Sequence, residues 1–355
     1  MSEGRKLRVG IIGLGIGARH ASSYALLPNV EIVAMADPAP NRLGASVEEF
    51  CGHYGAKPYT NGYEMMEKEK LDAVSICTNP ILHRPFTEAA AAKGLHILME
   101  KPMAGTVEDC DAIISACRKA GVQLHMEFPM RELAPMIELK RIIDEGLIGK
   151  PFMVSCDYVS GLRTPNHWIW TMGDGSSPIN ENTCHGIDSV RFLLGDVDRI
   201  YAEAGNYIGQ GAPVPDAAAF TMHHENGAIS TLVGGACATN EMETPLRIAL
   251  FATEGQAVVD GIRHTFSRLT WAKRGGEQVT HDWGYPPSFR EMAKSPYSRY
   301  PLLEPAIAKF VDNVLNNRPP SSNADDGRHN VRICLAVLES AMSNKPVDMR
   351  ELVMR

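Results

Sequence analysis

Basic charge is in short supply. Lys and Arg number 35 against 42 Asp and Glu, a formal net charge of −7. The broad positive face that binds nucleic acid or an anionic membrane is therefore not expected. No apolar run approaches the roughly 20 residues needed to cross a bilayer. The opening Met-Ser-Glu-Gly-Arg-Lys has neither the apolar centre of a secretory signal nor a twin-arginine pair. Eight cysteines are dispersed along the chain and never spaced as C-x-x-C, which argues against paired-thiol redox chemistry and reads as reduced thiols of the cytoplasm. Cys110 and Cys117, seven apart, mark one buried helical face. No internal repeat or low-complexity tract occurs. What is present is 44% hydrophobic and 22% charged residues over 355 positions, the composition of a globular protein of about two domains.

The first third alternates between two periodicities. Apolar, β-branched runs fall at Leu7–Ile12, Glu31–Ala36, Ala73–Cys77, His96–Met99 and Val122–Met126. Between them lie stretches of helical length at Ala18–Leu27, Asn41–His53, Asn61–Lys68, Pro85–Lys93 and Glu108–Lys119. Strand and helix repeated in this way predict right-handed crossovers and a parallel, doubly wound sheet over residues 1–127. Residues 128–355 read differently. After a helix over Arg131–Glu145 and a strand through Cys156 and Tyr158 comes an irregular Ser160–Pro178, then a helix from about His185 to Leu194. Strands follow at Ile200–Asn206, Ala217–His223, Ala228–Val233, Leu246–Thr253 and Ala257–Asp260. The Glu225-Asn226-Gly227 turn joins two of them as a hairpin. Helices over Leu303–Asn316 and Asp325–Ser343 close an α+β domain on a mostly antiparallel sheet, with packing of those helices on the first domain left open.

Val9-Gly10-Ile11-Ile12-Gly13-Leu14-Gly15-Ile16-Gly17-Ala18 fits the G-x-G-x-x-[GA] turn of a dinucleotide site at Gly13, Gly15 and Ala18. Gly13 permits the tight turn, Gly15 lets a pyrophosphate approach the backbone, and Ala18 lets the next helix pack closely. Ile16 and Gly17 complete the turn. Asp37, after the second strand, is placed to accept hydrogen bonds from the adenosine ribose, favouring NAD over NADP, although Arg42 nearby leaves NADP open. Ligands of such sheets bind beyond the carboxyl strand ends. Thr78, Asn79 and His83 after the third strand, and Glu100 and Lys101 after the fourth, fall there as further cofactor contacts. Lys101 precedes Pro102, which holds it extended, and its ammonium can steady a substrate oxygen as hydride leaves.

A second candidate group is Asn180-Glu181-Asn182-Thr183-Cys184-His185. His185 near a helix start is kept neutral by the helix dipole and is ready to take a proton, with Glu181 four residues earlier to orient it. Glu181, His185 and Asp188 also have metal-ligand spacing, but no further His or Cys joins them and no metal is expected. Tyr158, Arg163, His167, Trp168 and Asn182 are candidates for the substrate pocket, and a packing role for Trp168 and Trp170 stands beside that reading. Arg131 binds substrate or forms a structural ion pair.

Taken together these residues resemble the Gfo/Idh/MocA family, which includes inositol dehydrogenases and glucose–fructose oxidoreductase. The anchors are the Gly13–Ala18 turn, Asp37, Thr78–His83, Glu100-Lys101-Pro102, Arg131 near Pro135, Glu181-x-x-x-His185-x-x-Asp188 and Asp326-Gly327…Leu338-Glu339-Ser340. Two positions depart: Glu181 stands where several relatives carry Asp, and Thr78-Asn79-Pro80 replaces a T-P-N order. The resemblance implies a Rossmann domain followed by an α+β domain whose open sheet forms a dimer interface, often within a tetramer. It also implies Lys101 and His185 as catalytic residues in NAD-dependent oxidation of a secondary hydroxyl of a sugar or cyclitol. Redox-neutral chemistry with retained NAD, or a sugar or dinucleotide sensor on the same frame, are the alternatives.

Overall fold

The computed structural model describes residues 5–39, 44–161, 168–170, 177–208, 213–239, 241–262, 265–284 and 295–352. The chain divides into two units: Met1–Pro129 with Pro287–Arg328, and Met130–Pro286 with His329–Arg355.

In the first unit, six short strands are β1 (Leu7–Ile12), β2 (Val30–Ala36), β3 (Lys57–Tyr59), β4 (Ala73–Ile76), β5 (His96–Met99) and β6 (Leu124–Met126). They lie in the order β3-β2-β1-β4-β5-β6, with every neighbouring pair parallel. The order reverses between β1 and β4, so the carboxyl ends of those strands open a crevice. Helices α1 (Gly17–Tyr24), α2 (Val47–His53), α3 (Gly62–Lys68), α4 (His83–Ala92) and α5 (Val107–Ala120) make the crossovers. Ile11, Val74 and Ile97 are fully buried, as strands covered on both faces require.

Local signals set the helix ends. The Ser46 side chain accepts from Glu49 N–H while the Glu49 carboxylate accepts from Ser46 N–H, a capping box that starts α2 at Val47. The helix expected from Asn41 is thus shorter, and residues 40–43 lie outside the described positions. Thr106 caps α5, which stops at Gly121 with φ of 67°. Cys110, Ile113 and Cys117 share its buried face, and burial pushes both thiols up to about 12, which leaves them protonated and unreactive. The strand β3 was not expected, since it has three residues, one of them Pro58 at the sheet edge. Later residues return to this unit. Arg19 donates to the carbonyls of Ser295 and Ser298, Tyr297 stacks on Phe50 at 5.5 Å, and α8 (Glu304–Leu315) packs on α1.

The second unit opens with α6 (Ala134–Asp144) and β7 (Pro151–Gly161), followed by α7 (Cys184–Leu194). Strands β8 (Val197–Gly205), β9 (Ala217–His224), β10 (Ile229–Ala238), β11 (Pro245–Ala252), β12 (Gly255–Ile262), β13 (Thr265–Lys273) and β14 (Gln278–Asp282) come next. Helix α9 (Ala324–Ser343) and β15 (Val347–Asp348) end the order; the division between the units falls within α9. The sheet runs β14-β13-β12-β11-β7-β10-β9-β8-β15 and is antiparallel except for the β7–β10 pair. Alternate residues of β7 and β10, including Val154, Cys156, Tyr158 and Leu232, are buried on the side where α7 packs. Their neighbours Ile229, Thr231, Val233 and Asp157 are exposed, so the other side of the sheet is open. β13 and β14 extend the sheet beyond the strands expected from sequence, and β14 has no buried residue to announce it. Among the described residues no helix is long and apolar enough to cross a membrane.

Candidate active site

The glycine turn occupies the carboxyl end of β1. Gly13 has φ of +89°, and a Cβ there would stand 2.6 Å from the Cys77 carbonyl oxygen, so both conformation and space demand glycine. At Gly17 a Cβ would meet Ile11 Cγ2 at 2.9 Å. This close approach of α1 to the sheet falls one residue before the Ala18 assigned to it from sequence, although Ala18 is also fully buried. Gly15 differs in kind: a Cβ there would meet nothing within 4 Å. Its role is to keep the space over the turn open. No side chain caps the start of α1, so its first N–H groups are available to an anion.

Asp37 braces this turn from the next strand. One carboxylate oxygen accepts from Leu14 N–H at 2.7 Å and the other from Ala39 N–H at 2.8 Å. These features fit a dinucleotide: an open turn for the pyrophosphate and a fixed carboxylate for the ribose.

At the end of β4, Thr78 and Asn79 are half-buried, and Asn79 caps a 3₁₀ turn over Pro80–Leu82. The His83 ring is fully buried, with its nitrogens 3.1 Å from the carbonyl oxygens of Met103 and Thr78. Burial pulls its pKa below the ordinary histidine range against those carbonyls. A neutral ring carries one N–H and donates to one carbonyl at a time. His83, expected as a cofactor contact, shapes the Thr78 turn from inside through these two carbonyls. Glu100, the next expected cofactor contact, has partners within the fold. It is buried and turned inward, its Oε1 3.2 Å from His20 Nε2 and its Oε2 accepting from Lys101 N–H at 3.1 Å. Lys101 itself is partly exposed at the end of β5, and the Lys101–Pro102 bond is cis.

In the second unit His185 lies in the first turn of α7, but that helix does not begin freely. A π-helical turn over Ile179–Thr183 runs straight into it. The dipole argument for a neutral imidazole is thereby weakened, because His185 stands more than a turn inside a continuous helical run. Glu181 is half-buried within the π turn, and Asn182 beside it is buried. The His185 ring centroid is 5.9 Å from that of buried Tyr158 on β7. Gly186 makes this packing possible, since a Cβ there would stand 3.0 Å from Tyr158 Cβ. Thr183 fills the space a side chain at Gly234 would need, with its Cγ2 2.3 Å from the position of that Cβ.

Arg131 forms a bidentate pair with Asp188, Nε to Oδ2 at 2.8 Å and Nη2 to Oδ1 at 2.6 Å, both side chains buried. Its guanidinium also lies 5.3 Å from the centre of the Phe192 ring. Of the two roles open for Arg131, the ion pair with Asp188 is present. Arg163 and His167 lie outside the described residues, as does the side chain of Trp168. Trp170 packs in a buried cluster with Ile169, Val214 and Ala236.

A Rossmann unit with a pyrophosphate turn, joined to a nine-stranded α+β unit, defines a class of nucleotide-dependent oxidoreductase. The GFO/IDH/MocA oxidoreductase family with an NAD-binding Rossmann fold matches residues 7–128, and the family's C-terminal domain matches 136–258. The chain belongs to this family and is an NAD-binding oxidoreductase. It is 26% identical to myo-inositol 2-dehydrogenase of Thermotoga maritima, across 98% of this chain and 100% of that one. It is 26% identical to 1,5-anhydro-D-fructose reductase of Ensifer adhaerens, across 96% and 98% of the two chains. The crystal structure of an oxidoreductase from Agrobacterium radiobacter with NAD+, L-tartaric acid and magnesium superposes with a TM-score of 0.83 at 23% identity, covering 98% of this chain and 100% of that chain. At that identity the likeness concerns the fold.

Proposed function

We propose that this chain oxidises a secondary hydroxyl of a sugar or cyclitol with NAD, Lys101 and His185 both acting at the reacting oxygen. The observation that carries the reading is the place of Lys101, at the carboxyl end of β5. Two strand positions separate it from the phosphate turn on β1, or about 10 Å at ordinary strand spacing. That is the scale of the reach from a dinucleotide's pyrophosphate to its nicotinamide. The relatives named for inositol and anhydrofructose support a polyhydroxylated substrate.

NAD bound on Gly13–Gly17 and Asp37 supplies the hydride acceptor. Lys101 holds the substrate oxygen and offsets the negative charge that builds there as the C–H bond weakens. His185 takes the hydroxyl proton through its imidazole. Glu181, one turn earlier, orients the ring, and Tyr158 and Asn182 border it on the substrate side. Thr78 and Asn79 line the cofactor's ribose–nicotinamide half. Asp37 favours NAD over NADP because its carboxylate repels a 2′-phosphate. The second unit, Met130–Pro286 with His329–Arg355, forms the substrate-binding part, and the free cysteines, seven of them buried, suit the reducing cytoplasm.

Absorbance at the NADH band with a polyol panel, myo-inositol first, tests the reading. His185→Ala is expected to lower kcat about 10²–10⁴-fold with little change in NAD affinity, the range for losing a general base. A variant that keeps full turnover excludes His185 as the base. NAD that purifies bound, fails to exchange and gives no net NADH points instead to the redox-neutral cycle.

The open side of the nine-stranded sheet is the proposed homo-oligomer interface. Tyr201, Ile229 and Val233 are exposed there at 39%, 49% and 46%, large side chains whose apolar surface association would cover. Light scattering should give a dimer or tetramer for the native chain. Val233→Asp on that face should shift it toward monomer; an unchanged mass removes this face as the interface.

A further inference from the structure

Four buried side chains in the first unit form a single hydrogen-bonded line that ends on the backbone of Lys101. Tyr24 Oη lies 2.8 Å from Ser75 Oγ, and Ser75 Oγ lies 3.3 Å from His20 Nδ1. His20 Nε2 lies 3.2 Å from Glu100 Oε1, and Glu100 Oε2 accepts from Lys101 N–H at 3.1 Å. Tyr24, Ser75 and His20 are fully buried and Glu100 nearly so. Sequence reading named Glu100 alone among them, for a different role. His20 gave no signal, because 80 positions separate it from its partner.

The direction of the line follows from its end. A carboxylate only accepts, so Glu100 takes hydrogen bonds from His20 Nε2–H and from Lys101 N–H. With its hydrogen on Nε2, His20 accepts at Nδ1 from the Ser75 hydroxyl. Ser75 in turn accepts from Tyr24, whose phenol burial holds in the protonated form. Every polar atom in the line then has a complementary partner, and one histidine tautomer is selected.

We infer that the His20–Glu100 hydrogen bond is a strut that fixes the Lys101 backbone relative to the phosphate-binding turn. His20 lies in the first turn of α1, three residues beyond Gly17, and so moves with the backbone that receives the pyrophosphate. Glu100 precedes the lysine that receives the substrate oxygen. His20 and Glu100 are positioning residues acting through Lys101; neither touches substrate. The inference rests on Lys101 acting in catalysis as proposed above, although the strut itself is tested without that assumption.

The experiment compares the NAD-bound wild type with His20→Met, which fills the space without a donor, and His20→Gln, whose amide can still donate to Glu100. Hydrogen exchange at the Lys101 amide, read by mass spectrometry, should become about tenfold faster in His20→Met and return toward the wild-type rate in His20→Gln. With myo-inositol or another turned-over polyol, kcat should fall about tenfold in His20→Met while KM for NAD stays within about threefold, and His20→Gln should recover it. Placed in a Lys101→Ala background, His20→Met should cost little more, because its effect passes through that lysine. Unchanged exchange at Lys101 in His20→Met overturns the strut, whether or not any polyol is turned over. So does a loss that His20→Gln fails to restore, or faster exchange with full kcat where Lys101→Ala is itself impaired. Full activity of Lys101→Ala itself would instead remove the catalytic reading of Lys101, with the exchange result still deciding the strut.

Discussion

Lys101→Ala should lower kcat for polyol oxidation about 10²–10³-fold, the range for removing one charge-stabilising donor from a water-excluded site. The loss should fall on kcat more than on KM for NAD. The substitution leaves the glycine turn and Asp37, proposed to hold the cofactor, intact, whereas charge on the substrate oxygen develops only as hydride departs. Lys101→Arg should recover little. A planar guanidinium has a different reach and donor geometry from a compact ammonium, and the residue's backbone is held by Glu100 on one side and enters Pro102 on the other. Steady-state kinetics with NAD saturating checks the expectation. A rise in KM for NAD at constant kcat would assign Lys101 to cofactor binding alone.

The second large effect concerns stability. Asp188→Ala should destabilise the protein by about 3–5 kcal/mol, since it leaves the Arg131 guanidinium buried without its bidentate partner. Replacing both residues together, Arg131→Met with Asp188→Leu, should restore most of that stability because no charge is then stranded. Urea unfolding of the two variants and the parent gives the comparison. A double variant less stable than Asp188→Ala would mean that the pair contributes net stabilisation beyond shielding its own charges. Activity adds a second reading: Asp188 stands three residues after His185 on α7, so a restored fold with lowered kcat would show that the pair also sets the angle of that helix.

Much of this architecture is legible in the sequence because its signals are local. Each of β1, β2, β4 and β5 is a short apolar run, and each helix between them has an amphipathic stretch. The Gly13–Gly17 turn needs glycine for reasons of φ and space that act over a few residues. Lys101 is legible as a site candidate from its position after a strand and before proline. What stayed hidden depends on distance or on exposure. β14 is wholly exposed and therefore lacks hydrophobic alternation, while β3 has three residues and a proline. The π turn at Ile179–Thr183 looks like ordinary helix in sequence, so the helix start assigned to His185 missed the turn before it. The inward partners of His83 and Glu100, buried carbonyls for one and His20 for the other, are hidden as well, because no spacing rule reveals them. The Arg131–Asp188 pair joins positions 57 apart, and only the folded chain selects that partner over a substrate.

We propose that an ammonium from Lys101 and an imidazole from His185 serve the same reacting hydroxyl. The direct measurement is kcat/KM for Lys101→Ala, His185→Ala and the double variant with one polyol at saturating NAD. If both side chains stabilise one transition state, the double variant should lose far less than the product of the two single losses, falling near the larger of them. Losses that multiply would show the two groups acting independently and would contradict a shared site of action.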